Sequence, residues 1–492
     1  MHRYFSLTHP VIAKTLFAFL IVAFSISADN VSAQQGTIWS LQRCVQYAID
    51  HNISIKQDSL NARLARYTVL QSQLSQIPSA SASASYGKNF GRSINPTTNQ
   101  FVEGSYNALS LSATANALLF AGLQTRNNIA RNKLNLEASI ADLEQLKDNV
   151  SLSVANGFLV ALLAQEQINI SKSQVEVTKA QLSQTRAFAN AGRLPELNVA
   201  QLESQLATDS ANLINSISSF NSAILDLKAL LNLDFDEPFT IQVPDAEVSG
   251  QLLVSGLQPA DIYDKAKMHF GSIRGSQLRV SAAEKSLAAA KGGMYPQLSA
   301  GYQAGTNFAS NYQTYKYTLD GTYNQVGTAG FTADSPLLFV YQPNVVAAGT
   351  TVPFNTQFDN NLRHFVYLNL NIPIFSGWQS GYNVKQAKIN LASQELNEYN
   401  AALTLKQDVY KAHNNALNSI QKYSAARRAS EAANRAFEFA KKRYDLGLTS
   451  TVDLLVTQNS QFTAASNIVI AKYDLIFKLK VIDYYLGKEI KL

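Results

Sequence analysis

The chain has a single cysteine, Cys44, in 492 residues. That excludes an internal disulfide framework and any multi-cysteine metal or iron–sulfur cluster. Its six histidines stand in no ligand-like spacing with Asp, Glu or Cys, which argues against a metalloenzyme. Charge is scarce too: charged residues make up 15 %, against about 25 % in an ordinary soluble domain. The 41 Lys and Arg exceed the 35 Asp and Glu by only 6, too dilute for a nucleic-acid footprint, so no nucleic-acid partner is expected. Neither Gly87-Lys88-Asn89 nor Lys291-Gly292-Gly293 fits a phosphate-cradling loop, and no Gly-x-Ser-x-Gly elbow occurs. His51 and His269 fall near the C-terminal ends of short helical runs and suit capping. Asp234 and Asp236 sit in the turn Leu233-Asp234-Phe235-Asp236-Glu237-Pro238 and read as loop chemistry. These residues point to neither an enzyme nor a bound cofactor.

Long apolar runs are also missing after residue 33, so no helix of ~20 apolar residues is expected to span a membrane. Residues 1–33 form a signal peptide by pattern. His2, Arg3 and Lys14 give a basic start, Leu16 to Ile26 an apolar run, and Val31-Ser32-Ala33 small residues before a cleavage at Gln34. The apolar run is half the length of a membrane anchor. Arg43 stands before Cys44 where a lipid-anchor motif would place a small residue, so Cys44 reads as a small buried apolar side chain. If the mature chain enters a membrane, it does so as a β-barrel.

What the chain does contain is itself, twice. Leu119-Phe120-Ala121-Gly122 returns as Ile374-Phe375-Ser376-Gly377, 255 positions on; Gly192 returns as Gly447 and Leu231 as Leu486 at the same offset. Earlier, Ala48-Ile49-Asp50-His51 returns as Ala266-Lys267-Met268-His269, and Ile77-Pro78 as Tyr295-Pro296, 218 positions on. The difference of 37 residues places an insertion in 303–360 of the second copy, a Gly-, Asn-, Thr- and Tyr-rich stretch that reads as a long loop. The copies span 34–257 and 258–492.

Each copy runs helix, two strands, two helices. The first helices cover about 38–76 and 258–293, ended by Pro78 and Pro296. After Phe120 and Phe375 come about 70 residues without proline, closing at Gly192 and Gly447, and a helix of that length is ~100 Å long. Long helices are expected over about 120–191 and 193–232, followed by the segment 233–257 that ends the first copy, and over about 377–446 and 448–487. Seams follow a coiled-coil spacing: Leu136, Ile140, Leu143, Val150 and Val154; then Leu213, Ile217, Phe220, Ile224, Leu227 and Leu231; then Val452, Leu455, Phe462, Val469, Tyr473 and Ile476.

Between them lie alternating runs. Val366, Leu368, Leu370, Ile372 and Ile374 share one face, with Asn369 and Asn371 on the other. Leu109, Leu111, Ala113, Ala115 and Ala117 alternate with Ser110, Ser112, Thr114 and Asn116. Strands are expected at about 79–92, 103–118, 295–308 and 361–374. This alternation is that of a transmembrane barrel strand, though a sandwich strand shares the period. Tyr86, Phe90, Phe101, Tyr106, Phe308, Tyr312, Phe358 and Phe365 cluster near strand ends, as interfacial girdles do. Four strands per chain fall short of the at least ~8 a spanning barrel needs, so several copies must pool strands. An open edge in lipid costs several kcal/mol per unpaired backbone group. The expected fold is therefore mainly α with a membrane β-barrel portion.

The signal peptide, the 255-residue duplication, the Phe-x-Gly entries to the long helices and the Tyr-x-x-Gly turn resemble the TolC-type outer-membrane efflux proteins, most closely over Tyr444 to Gln458. The resemblance implies a homotrimer with a 12-stranded barrel in outer-membrane lipid and a helical tunnel in the periplasm, with residues 233–257 as an equatorial segment around that tunnel. It implies docking to a periplasmic adaptor (membrane fusion) protein and to an inner-membrane pump of the resistance-nodulation-division or ABC type. The implied function is an exit duct for small molecules or, in type I secretion, for proteins. It further implies a periplasmic gate. Asp453, six residues after Gly447, falls at the gate aspartate and Tyr444 at the gate tyrosine; Thr449 stands where some members carry an arginine, and Val456 where a second aspartate is common. Asn198 takes the matching place in the first copy, so this gate carries less charge. Phe188, Gly192, Arg193 and Gly447 fall at the helix tips, where the resemblance implies contact with the adaptor.

A ring of Asp453 carboxylates at a constriction would favour cations and, by crowding, would raise its own pKa. A helical Asp near an N-terminus, compatible with the macrodipole, fits the same residue. A structural or adhesive periplasmic coiled-coil rod is the alternative to a duct; the amphipathic strands distinguish the two.

Overall fold

The computed structural model describes residues 38–94, 101–243, 256–326 and 340–488; the expected signal peptide and residues 244–255 of the expected equatorial segment lie outside them. The chain opens with a two-residue strand, β1 (Ile38–Trp39), and helices α1 (Leu41–His51) and α2 (Ile53–Leu74). Strands β2 (Ser79–Ile94) and β3 (Phe101–Ala121) follow, then α3 (Gln124–Asn190), α4 (Glu196–Leu231) and a short β4 (Thr240–Ile241). Next come α5 (Pro259–His269), α6 (Gly271–Gly292), β5 (Gln297–Ala309), β6 (Gln313–Val326), β7 (Val340–Thr351), α7 (Phe354–Asn360) and β8 (Arg363–Asn371). Helices α8 (Gln379–Asp445) and α9 (Thr451–Tyr485) complete the fold, which is mainly helical.

Strands β2, β3, β5 and β8 form one antiparallel sheet in that order. Among the described residues it does not close on itself, and β2 and β8 are its edges. Its register places Ala82, Ala113, Ala304 and His364 in one row and Ala80, Ala115, Tyr302 and Val366 in another. The outward apolar face stays uncovered: Val366 is 75 % and Leu368 71 % exposed. On the other face hydroxyls pair across strands, Ser81 with Thr114 at 2.9 Å and Ser83 with Ser112 at 2.7 Å. Tyr367 lies over Gly301, where any side chain would collide with its ring, and its hydroxyl donates to Asn116 Oδ1 at 3.0 Å.

The described residues of the stretch at 303–360, read as a loop, form regular elements, while 327–339 lie outside the described residues. β5 runs on to Ala309, β6 and β7 pair as a separate antiparallel hairpin, and α7 returns the chain to the sheet. The first helix of each expected copy is broken rather than continuous. At Asn52 the side chain accepts from Ser54 N and Ile55 N while its own N–H closes α1 onto Ala48 O. An Asn side chain that offers the backbone a local partner competes with helix continuation. Phe270 makes the same break between α5 and α6.

Both 67-residue helices leave the sheet through paired left-handed residues, Gly122-Leu123 and Gly377-Trp378, with φ of 57°, 63°, 56° and 67°. One apolar core joins α1, α3, α4 and α9 through Trp39, Cys44, Phe158, Leu162, Leu227, Leu231 and Tyr473. A second joins α5, α6, α8 and α9 through Ile262, Phe270, Ile273, Val409 and Ile482. Helix α3 has one stretch long and apolar enough to cross a membrane; its fully buried residues include Phe158 and Leu162, which belong to the first core.

The expected seams hold at the first core, where Val154, Leu227, Leu231, Tyr473 and Ile476 are all buried, and differ from the periodic reading elsewhere. Along α3, Ile140 is exposed and α6 packs on Ala138 and Ala141, because a side chain at Gly271 would strike Ala141 O. Glycine there lets two backbones meet. Along α4 the expected Leu227 and Leu231 are buried, but nearer the tip the buried line is Leu202, Asp209 and Ser216, one residue off the expected Ile217. On α9 it is Thr451, Leu454 and Gln458, with Val452 exposed.

Candidate functional site at the helical tips

The α3–α4 and α8–α9 pairs each end in the same turn. Gly192, with φ 72°, donates its N–H to Ala189 O, and Arg193 N donates to Phe188 O at 2.9 Å. Gly447, with φ 73°, donates to Tyr444 O, and Leu448 N to Arg443 O at 2.8 Å. This double closure satisfies the last carbonyls of each helix and needs a left-handed residue, which glycine supplies without a Cβ penalty. The Arg193 guanidinium lies 4.6 Å over the half-buried Phe188 ring, so these two form one feature of the first tip.

Asp453 and Thr449 meet at the second tip. Ser450 caps α9: its Oγ accepts from Asp453 N at 3.1 Å and donates to Asp453 Oδ2 at 2.7 Å, while Thr449 Oγ1 donates to the same oxygen at 3.3 Å. This is a reciprocal capping arrangement in which side chain and backbone satisfy each other. The Ser450 hydrogen bonds hold the Asp453 carboxyl below its ordinary value, with Thr449 and the charge of Arg443 adding in the same direction. Among the described residues of one chain no like charge raises its pKa as crowding in a ring would, and slight desolvation opposes the hydrogen bonds without outweighing them.

Tyr444 is buried beneath this surface. Its hydroxyl lies 2.7 Å from Thr185 Oγ1 on α3 and 3.3 Å from Thr451 Oγ1 on α9, tying the two helix pairs together. Beside it Gln184 Nε2 donates to Asp445 Oδ1 at 3.0 Å. Asn198 sits in the first turn of α4, on the other tip, with its N–H on Pro195 O at 3.1 Å.

The larger feature is one the sequence reading missed. Above the tips the buried face of α3 is polar for four turns: Ser171, Gln174, Thr178, Gln181 and Thr185. Gln458 Nε2 donates to Thr178 Oγ1 at 2.7 Å, and Thr178 Oγ1 donates to Asp209 Oδ2 at 2.6 Å. Asp209, 3 % exposed, also accepts from Gln205 Nε2 at 2.8 Å. Ser171 and Ser216 pair at 3.0 Å, and Gln167 donates to Ser466 at 3.1 Å. The amide atoms Gln174 Nε2, Gln181 Nε2 and Oε1, and Gln458 Oε1 are buried without partners. The signal was present as a 3–4 spacing of polar residues, which a search for apolar periodicity passes over.

Chemically, this is a set of exchangeable hydrogen bonds between two helix pairs, with no nucleophile–base arrangement. Among the described residues no cluster of three or more His, Cys, Asp or Glu could hold a metal ion.

A model of the family described as outer membrane efflux protein matches residues 44–233 and 262–487. Outer membrane protein TolC of Escherichia coli (strain K12) is 21 % identical over 353 residues, covering 71 % of this chain and 64 % of the relative's length. Among solved structures, the outer membrane protein VceC from Vibrio cholerae superposes with a TM-score of 0.71 at 14 % identity, over 92 % of this chain and 97 % of that one. The CmeC outer membrane channel of Campylobacter jejuni gives 0.70 at 18 % identity, over 91 % of this chain and 85 % of that one. The open state of the MtrE outer membrane channel of Neisseria gonorrhoeae gives 0.67 at 16 %, over 91 % and 89 %.

Proposed function

Because this chain belongs to the outer membrane efflux protein family, we propose that it is the exit duct of a tripartite efflux or type I secretion machine. It resides in the cell outer membrane, with a long periplasmic helical portion. On this reading residues 1–33 are removed on export, the two halves 34–257 and 258–492 are structural repeats, and three chains pool four strands each into one barrel of about 12. The helices continue that barrel as a periplasmic tunnel. The tips at Phe188, Gly192, Arg193 and Gly447 meet a periplasmic adaptor, which links the duct to an inner-membrane pump of the resistance-nodulation-division or ABC type. Transport is passive, so cargo is chosen upstream and the duct itself carries out no catalysis.

The observation that carries this reading is the open four-stranded sheet, whose apolar face is bare and whose two edges are unpaired among the described residues. Bare apolar area fits lipid, and unpaired edges in lipid demand a closing partner. A periplasmic rod has no use for either. At the tip, three Asp453 carboxylates around the axis form the gate ring, with Tyr444, Thr449 and Asn198 as its polar surroundings. Reconstitution into planar bilayers tests the duct: stepwise single-channel conductance is expected, and Asp453→Ala is expected to change that conductance or its block by divalent cations. Protein that inserts without conductance would contradict the proposal; an Asp453→Ala channel unchanged on both measures would remove Asp453 from the gate.

A further inference from the structure

The two edges of the sheet do not match. β2 has 16 residues and β8 has 9, so an antiparallel pairing between β8 of one copy and β2 of the next leaves about seven residues of β2 uncovered, Lys88–Ile94. Those residues lie at the end of the sheet far from the long helices, and a bare strand edge there is a liability.

What precedes β8 occupies the missing place. Strand β8 ends its pairing at Arg363 opposite Gly305, although β5 runs on to Ala309. Ser310 N donates to Asn107 O on β3, so by alternation Asn307 and Ala309 turn their peptide groups to the vacated edge. Both are answered by α7 and the residue after it. Gln357 Oε1 accepts from Ala309 N at 3.0 Å and Gln357 Nε2 donates to Ala309 O at 3.0 Å. Asn361 Nδ2 donates to Asn307 O at 2.7 Å. The Gln357 side-chain amide, 1 % exposed, thus stands in for the peptide group of an absent strand. Thr306 Oγ1 donates to Phe358 O at 2.8 Å and pins the helix to the outward face.

We propose that α7 continues the edge of β8 and seats against the outer end of β2, Lys88–Ile94, of a second copy of this chain. Three features identify that occupant. The uncovered length lies at the same end of the sheet as α7. The facing surfaces carry matching apolar groups: Phe308 and Phe354 stack edge to face at 5.3 Å with Phe354 still 43 % exposed, while Phe90 is 78 % exposed on β2. The pairing Tyr86–Leu109–Phe308 puts all of these on one face of the sheet. The charges are complementary too, since α7 carries Asp359 and the β2 segment carries Lys88 and Arg92. The inference rests on the shared-barrel reading above and adds which residues seal its seams.

The test is a double-cysteine variant, Asp359→Cys with Arg92→Cys, treated in detergent with a short bismaleimide. The denatured band is expected to shift from one chain to two and three, while each single variant stays at one. A second measurement needs no variant: a carbodiimide on mixed 14N- and 15N-labelled wild-type protein should join the Asp359 carboxyl to the Lys88 amine, losing water, in a mixed-isotope peptide. If glutaraldehyde still traps the assembly and neither α7–β2 product forms, the seam assignment is overturned and the shared barrel stands. If the wild-type protein has no assembly to trap, both fall.

Discussion

Asp453, the carboxylate proposed for the gate ring, already has a structural duty as part of the cap of α9. Hydrogen bonds from Ser450 favour its ionised form, so the folded pKa lies below the ordinary 3.8. The cap therefore contributes stability above that value and loses it as pH falls through the folded pKa. Block by divalent cations should stay constant between about pH 7 and pH 5; a transition inside that window would mean that crowding across the ring outweighs the cap. Cys44 makes a second point at this scale. Burial pushes its thiol up to about 12, against a minor opposing effect of Arg43. A maleimide at pH 8 should leave it unlabelled in the folded protein and label it fully in denaturant; rapid labelling of the native form would contradict its place in the core. Its burial was legible from sequence because Arg43 and the helical context left few other roles. The partners of Asp453 were not, since Ser450 becomes a cap only once α9 starts at Thr451.

At the level of elements, buried polar contacts decide which face of each helix points inward. The α4 seam runs through Asp209 and Ser216 because Thr178 and Ser171 await them on α3, and Ile217 one position away stays 42 % exposed. Apolar periodicity finds the helix and its face at Leu227 and Leu231, and misses by one residue only where polar contacts replace the apolar core. Thr178→Val should lower the unfolding midpoint, at a cost of ~1–3 kcal/mol, because it strips a donor from buried Asp209 and an acceptor from Gln458. An unchanged midpoint in thermal circular dichroism would mean that water replaces the hydroxyl. Glycines grade in the same way. Gly192→Ala meets open space and carries only the left-handed penalty of ~1–2 kcal/mol. Gly122→Ala adds a collision with Gly292 O, so its midpoint should fall further; equal losses would refute close packing of β3 and α6 at that corner. The strands were legible because Ser and Ala alternate strictly, whereas β6, β7 and α7 were hidden. Gly, Asn, Thr and Tyr carry no clear period, and the strand-mimicking role of Gln357 exists only against Ala309.

For the whole molecule, the imbalance between helix and sheet is the governing fact. The helices bury their cores within one chain, while the sheet offers lipid a finished outer face and leaves its edges for others. Ile217 and Val452 on the bundle are likewise exposed in a single chain, and the proposed assembly would cover them with neighbouring copies. Shared closure accounts for both with one arrangement. The most direct measurement is the mass of the detergent-extracted native protein, by light scattering corrected for bound detergent. Three chains per particle, extractable only with detergent, is the expected result; a single chain freely soluble in buffer would contradict the shared barrel outright.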